Sequence, residues 1–269
     1  MNVVYQDIDS TYRGYDGVSF EETETDALLS GKVKDILVDR PQRQEMLSIL
    51  QTLQQDTGFQ QSQTLLQDIQ AWQNESVDVQ TFRVGEALAE VVLQEHFRCR
   101  FYWNELRDAR NPKGNKTGAD LVGFIEIQND VLFLFGEVKT SSETKSPPQV
   151  MTNPGGIEHQ LKDLYQDPKK RRILISYIQN KIPLNGNEDF KKDFDKAIKT
   201  YYQQNAGKYL LYGVLIRDTA VNEKDIKPSY QRLKEEILEP IGLKLLAIYL
   251  PIAKEKWLNN MNGTGNESN

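Results

Sequence analysis

Two strand-like stretches near the middle of the chain end in residues whose types and spacing suit metal chemistry. The stretch VLFLFGEVKTS places Glu137 and Lys139 two residues apart, so both side chains lie on one face of a strand. The preceding stretch, ADLVGFIEI, begins with Asp120 next to an alanine, and the connecting QND is a plausible hairpin turn. A turn centred on Gln128 and Asn129 places Asp120 opposite Glu137. A shift of one residue places it opposite Lys139 instead, and in either register the three side chains meet at one end of the hairpin.

Two carboxylates and an ammonium group in one place are typical of metal-assisted phosphodiester hydrolysis. Neighbouring carboxylates repel and raise each other's pKa, and a divalent cation relieves that repulsion. Hard oxygen ligands with open coordination positions suit Mg²⁺. A lysine beside the metal can orient or deprotonate a bound water for attack on phosphorus. The alternative is a surface network of Asp, Lys and Glu that contributes under ~1 kcal/mol, and the spacing alone leaves it open.

The elements around this hairpin predict an α/β fold. FRVGEALAEVVLQEHF has apolar residues on nearly all sides, which indicates a buried helix, and the strand-like runs CRFYWNEL, ADLVGFIEI and VLFLFGEVK follow it. NPGGIEHQLKDLY is helical up to Pro168, and RRILISYI fits either a helix or a strand. KYLLYGVLIRD and LKLLAIYLPI are strands joined by a helix. We therefore expect a central mixed sheet of about five strands flanked by helices.

The combination of motif and element order resembles the PD-(D/E)xK nuclease superfamily, which has the restriction-endonuclease-like fold. GADLVGF and FLFGEVKTS lie between the helical GEALAE and GGIEHQLKDLY, and the resemblance covers roughly residues 82–252. Asp120, Glu137 and Lys139 stand at the motif positions, with Ala119 in place of the family's proline. The resemblance implies a Mg²⁺-dependent deoxyribonuclease, for which Mn²⁺ can substitute. In that reading Asp120, Glu137 and the backbone carbonyl of Val138 hold the metal, and Lys139 positions the attacking water.

The same family usually adds a glutamate from the first core helix. Glu86 and Glu90 are both candidates, four residues apart and therefore on one helical face. Glu86 is slightly favoured because it directly follows Gly85, although ordinary surface charge explains either glutamate equally well. Gln160 matches a glutamine often found on the helix after the Glu-x-Lys strand.

Basic residues near the motif suit a polyanionic substrate. The loop RDARNPKGNK leads directly into Asp120, and a second cluster spans Lys169 to Arg172. Contacts of such residues with phosphates would supply affinity that is independent of sequence and sensitive to salt. A solvated loop and a helix-terminal charge run are the alternatives. The residues of the loop that we expect to bind nucleic acid are Arg107, Arg110, Lys113 and Lys116.

Charge divides the 269-residue chain into an acidic and a nearly neutral part. Residues 1–80 carry 14 acidic and 5 basic side chains, a net charge of −9, whereas the remaining residues carry a net charge of +3. We expect residues 1–80 to form a Gln-rich, mainly helical region that docks a partner, with loop or short strand over 1–25. Residues 81–258 would then form the nuclease-like domain and 259–269 a disordered tail.

A narrower resemblance concerns the biological setting. The helical GE, the strand G-x-D, GEVK and the late LLAIYLPIAKEKWLNN are similar to the nuclease subunit of Hachiman-type bacterial anti-phage systems, which implies a helicase partner. The alternative is a catalytically inactive module of the same fold that binds nucleic acid or a partner protein. One cysteine and two histidines leave too few ligands for a Cys/His zinc site, and no apolar run approaches the ~20 residues that span a bilayer. We expect a cytoplasmic protein without a membrane anchor.

Overall fold

A seven-stranded mixed β-sheet forms the centre of the molecule. The computed structural model describes residues 1–56, 58–108, 118–203 and 207–263. The strands lie in the order β1-β2-β7-β6-β5-β4-β3. β2, β7, β6 and β5 run parallel to one another, and the three remaining pairings are antiparallel. The strands are β1 Asn2–Ser10, β2 Arg13–Ser19, β3 Cys99–Arg100, β4 Leu121–Ile127, β5 Asp130–Ser141, β6 Leu210–Arg217 and β7 Gly242–Tyr249.

The prediction of about five strands was too low because the N-terminal hairpin joins the sheet. β2 pairs in parallel with β7 along its whole length, from Arg13 opposite Leu243 to Ser19 opposite Tyr249. Its sequence, RGYDGVS, mixes glycine and charged residues and lacks the alternation that marks a strand. The glycines are required there by packing. An added Cβ at Gly17 would overlap the ring of Tyr5 on β1.

Helices cover both faces of the sheet. They are α1 Glu22–Leu28, α2 Lys34–Leu37, α3 Arg40–Gln55, α4 Gln63–Gln73, α5 Thr81–His96, α6 Gln149–Thr152, α7 Ile157–Gln166, α8 Pro168–Asn185, α9 Glu188–Tyr202, α10 Lys227–Glu236 and α11 Trp257–Met261. The segment that the sequence left open, RRILISYI, is the middle of α8.

Two apolar cores lie on opposite faces of the sheet. On one face α5 packs on the even-numbered residues of β5, such as Leu134 and Val138, and α11 and the short N-terminal helices complete the same core. On the other face α7 and α9 pack on odd-numbered residues of β5, including Phe133 and Phe135, while α8 packs on β4 and α10 on β2 and β7. Each residue of β5 is therefore assigned to one helical layer by the two-residue period of the strand.

The chain ends differ in part from the expected pattern. Residues 22–73 are mainly helical, as the N-terminal pattern predicts, but β1 and β2 precede them as two full strands. At the C-terminal end, α11 includes the start of the predicted disordered tail, and Met261 is buried. Residues 264–269 lie outside the described part of the chain. Docking of a partner by residues 1–80 stays a prediction.

Candidate active site

The β4–β5 hairpin has the first of the two registers considered from the sequence. Leu121 pairs with Gly136 and Ile127 with Asp130, which leaves Gln128 and Asn129 as the turn. Gln128 has a φ of 57°, the left-handed conformation that a two-residue turn requires. The next pair beyond Leu121 and Gly136 is Asp120 and Glu137. The predicted turn position is confirmed, and the shifted register is wrong.

Asp120, Glu137 and Lys139 form one hydrogen-bonded cluster. The Nζ atom of Lys139 lies 3.1 Å from Oε2 of Glu137 and 3.5 Å from Oδ2 of Asp120. Oδ2 of Asp120 also accepts a hydrogen bond of 3.0 Å from the backbone N–H of Val138. The cluster is on the face that also carries Phe133, towards α7 and α8. The sequence therefore places the three side chains together, as the resemblance implies.

The electrostatics of the cluster centre on Glu137. Its side chain is only 4% exposed, and burial together with the negative charge of Asp120 raises its pKa to about 8, although Lys139 acts in the opposite direction. Burial tends to lower the pKa of Lys139, but the charges of Asp120 and Glu137 outweigh burial and raise it. Full ionisation of the two carboxylates is thus unfavourable in the folded protein, whereas Lys139 is stabilised in its protonated, positively charged form.

The donor set fits a hard divalent cation with few protein ligands. Two carboxylates supply four oxygens, and the carbonyl of Val138 faces the same strand edge as its N–H, on the side of Asp120. Within the described residues no group of three or more His, Cys, Asp or Glu side chains comes together in a way that could hold a metal ion. A cation held here would therefore keep several of its water ligands, as Mg²⁺ usually does.

A cleft opens over Glu137 between the sheet and helices α7 and α8. Its volume is about 460 Å³, and Gln160 lies in its wall together with Glu137. α7 can lie close to the sheet because Gly213 of β6 has no side chain. An added Cβ at Gly213 would overlap Ile157 and come close to Leu161. Gln160 thus lies at the cleft over Glu137, and its role in the site stays a prediction. The other residues of the lining are Gly118, Ala119, Asp163, Leu164, Lys170, Ile173 and Leu174.

Helix α5, which carries the two candidate glutamates, packs on the opposite face of the sheet from this cluster. Gly85 contacts Thr140 of β5, so Glu86 follows the point where the helix crosses the end of the strand. Glu86 binds the buried Arg83 at 3.0 Å. Burial raises the pKa of Tyr177 on α8, and the charges of Glu105, Asp108 and Glu90 add to the shift, so Glu90 lies on the side of α5 that is towards α8. That one of these two glutamates belongs to the site, with Glu86 slightly favoured, stays a prediction.

Of the four basic loop residues, the structure describes Arg107. Its guanidinium donates two hydrogen bonds to Asp39, of 2.6 and 2.8 Å, and lies over the ring of Trp103. These contacts hold Arg107 in the fold, and its role in nucleic-acid binding stays a prediction. The other three predicted residues, Arg110, Lys113 and Lys116, lie outside the described residues.

The sequence missed the contribution of α8 to the cleft. Leu174 and Ile173 line it, and both belong to RRILISYI, a segment whose sequence fits either a helix or a strand. Capping signals were present at both ends. Asp167 caps the helix by accepting a hydrogen bond from the N–H of Lys169, and Gly186 ends it in the left-handed conformation.

Comparison with protein families gives the wider context. The HamA family model matches residues 79–260, which is more than half of the chain and includes Asp120, Glu137 and Lys139. The chain belongs to the HamA family. HamA proteins are associated with Hachiman anti-phage defence, so the narrower resemblance seen in the sequence is confirmed in that respect. Among curated proteins no match was found.

The HamA match begins just before α5 and ends within α11. Strands β1 and β2 and helices α1 to α4 precede the matched residues, although β2 belongs to the same sheet. In the described part of the chain, no helix has both the length and the apolar character needed to cross a membrane. The HamA match names the family and does not state a nuclease activity.

Proposed function

We propose that this HamA protein is a Mg²⁺-dependent nuclease that hydrolyses DNA phosphodiester bonds in anti-phage defence. The observation that carries the proposal is the contact of Lys139 with both Glu137 and Asp120 at the end of one hairpin. A surface ion-pair network, the alternative from the sequence, would be solvated. Here the glutamate is 4% exposed and its pKa is raised, which is a cost that a bound cation would offset.

Asp120, Glu137 and the carbonyl of Val138 would hold the metal ion. When bound there, Mg²⁺ supplies a polarised phosphate and a water of lowered pKa. Asp120 is oriented for this task by the N–H of Val138, which fixes one carboxylate oxygen against the neighbouring strand. Glu137 is fixed by burial and by Lys139. Both carboxylates are therefore positioned before any ligand arrives.

Lys139 is best suited to an electrostatic role. Since neighbouring carboxylates raise its pKa, it keeps its proton at neutral pH and donates hydrogen bonds rather than accepting a proton. An ammonium group at this place stabilises the negative charge that develops on the phosphate oxygens, and it orients the attacking water. Gln160, in the wall of the same cleft, offers a neutral amide that can bind a phosphate oxygen or that water.

The defence association suggests a partner in a complex, and we propose that this partner is a helicase. Residues 1–80, almost all of them outside the HamA match, are the proposed docking region. α3 contains no buried residue over its 16 positions. Four large apolar side chains are exposed on or beside α3 and α4, which is unusual for a helical pair without a partner: Ile49, Leu53, Phe59 and Leu66.

The direct test is cleavage of supercoiled plasmid by the purified protein, alone and together with the product of its neighbouring gene. We expect nicking or linearisation with Mg²⁺ or Mn²⁺ and none with EDTA. Asp163→Asn is a matched control, because Asp163 is an exposed carboxylate in the wall of the same cleft. Absence of cleavage in every combination of metal and partner would refute the nuclease proposal and favour the inactive binding module.

A further inference from the structure

Helix α8 carries five basic residues and no acidic residue. Three of the five interact with other groups of the protein. Arg171 is buried against the carbonyls at the C-terminal end of α7. Lys181 forms an ion pair with Asp108, and Lys170 forms one with Asp163. These three residues connect α8 to its neighbours, and the positive charge of each is already matched by a carboxylate or by carbonyl oxygens of the protein.

Lys169 and Arg172 are the two that remain. Both are exposed, and neither has a hydrogen-bonded or ion-paired side-chain partner in the described part of the chain. They lie three residues apart, so their like charges repel. They also lie near the N-terminal end of the helix, where the helix dipole disfavours positive charge. In the part of the chain that the structure describes, no side chain forms an ion pair with either cation, so both are available to an anion from outside.

The two cations lie on a shallow, open surface along the exposed side of α8, which is called the α8 groove below. The groove has a volume of about 520 Å³, and its residues recur every three to four positions along the helix: Lys169, Arg172, Ile173, Ser176, Tyr177 and Asn180. From Lys169 to Asn180 the helix rises roughly 16 Å. On the opposite side of the helix Leu174, Ile175 and Ile178 are buried in the core, so the groove is built on a rigid element.

The α8 groove continues into the candidate active site. Ile173 lines both the groove and the cleft over Glu137. Lys170 lies in the wall of that cleft, next to Lys169 of the groove. If a polymer is cleaved at Glu137, the part of it that extends from the cleft would therefore meet positively charged side chains along α8.

We infer that the α8 groove holds the sugar–phosphate backbone of the DNA strand beside the bond that is cleaved. The inference rests on the proposed nuclease function and adds the surface that binds the substrate. Lys169 and Arg172 bind phosphates, and the neutral Ser176 and Asn180 extend the path with hydrogen bonds. Such contacts go to the backbone and not to base edges, so they are independent of sequence.

The test is a salt titration of DNA binding by the full-length chain. A fluorescently labelled oligonucleotide of mixed sequence, single-stranded or duplex, is titrated in EDTA, where no cleavage occurs. We expect Lys169→Gln/Arg172→Gln to weaken binding roughly tenfold near 0.15 M salt and to reduce the slope of log K against log salt by about 2. The control is Lys224→Gln/Lys227→Gln, which removes two cations with the same spacing beside the N-terminal hairpin and leaves the slope unchanged.

Three results would overturn the inference: no DNA binding by the unaltered chain, unchanged binding by the α8 variant, or equal weakening in the control variant. Cleavage separates this inference from the proposed function. If the unaltered chain binds through the groove but cleaves DNA in no combination of metal and partner, the nuclease proposal fails and the binding surface stands. If the α8 variant still cleaves at saturating DNA while its KM rises, both stand.

Discussion

Asp120 accepts a hydrogen bond from the backbone N–H of Val138, 3.0 Å away, and this bond ties the start of β4 to the end of β5. Beyond Leu121 the regular pairing of the two strands has ended, so a side chain takes the place of a backbone acceptor. The consequence is a carboxylate held beside Glu137 and Lys139. The geometry of the cluster thus follows from the hairpin itself.

Replacement of Asp120 by asparagine separates this positioning from charge. The amide oxygen of Asp120→Asn can still accept from Val138, so we expect little change in the free energy of unfolding. Loss of one of two charged metal ligands should reduce cleavage at least ~100-fold. Plasmid cleavage and urea denaturation measure the two effects. If the variant loses stability and the unfolded fraction accounts for its loss of cleavage, Asp120 has only a structural role.

Glu137 makes the metal-free protein less stable than it could be. Its pKa is about 8 in the folded chain, against an ordinary value of 4.5, so the folded state holds a proton that the unfolded state has lost between these values. The stability that this carboxyl contributes is complete below about pH 4.5 and is lost as the pH rises towards 8. At pH 8.5 in EDTA, Glu137→Gln should therefore raise the free energy of unfolding by about 1–3 kcal/mol.

Addition of Mg²⁺ should reverse the order of stability. The unaltered protein gains stability by binding the ion, and Glu137→Gln gains little. Thermal denaturation at pH 5 and pH 8.5, with and without Mg²⁺, checks both effects. A variant that is less stable than the parent protein at pH 8.5 in EDTA would contradict the raised pKa of Glu137.

Gly85 allows α5 to approach the end of β5. An added Cβ would lie 2.6 Å from Cγ2 of Thr140, although alanine is favoured over glycine in a helix by about 1 kcal/mol. We expect Gly85→Ala to destabilise the parent protein by about 1–2 kcal/mol through overpacking, and to stabilise a Thr140→Ser background, which lacks that methyl group. A double-mutant cycle in urea measures the coupling. Additive effects would show that the contact is unimportant.

The sequence was informative where two independent signals agreed. The strand character of VLFLFGEVK and the short turn at QND limited the hairpin to two registers, both of which bring Asp120 to Glu137 and Lys139, and the structure has the first of them. The apolar residues on all sides of α5 likewise indicated a buried helix, which the structure confirms over Thr81–His96.

It was less informative where packing decides the structure. β2 is a strand because β7 and β1 pair with it on both sides, and its glycines serve those contacts while removing the usual strand signal. In α8, Ile173 to Ile178 suits a strand as well as a helix, so only the capping residues distinguish them. The position of Gln160 beside Glu137 depends on how α7 packs over Gly213, a contact that no local pattern contains.

The most direct measurement of the central claim compares the parent protein with a Glu137→Ala/Lys139→Ala double variant, each co-expressed with the neighbouring gene. Plasmid integrity is measured in vitro with Mg²⁺, protection against phage is measured in cells, and circular dichroism confirms folding of the variant. We predict that the folded variant loses both activities while the parent retains both. Full protection by the folded variant would contradict the nuclease proposal and would mean that Glu137 and Lys139 only complete a strand.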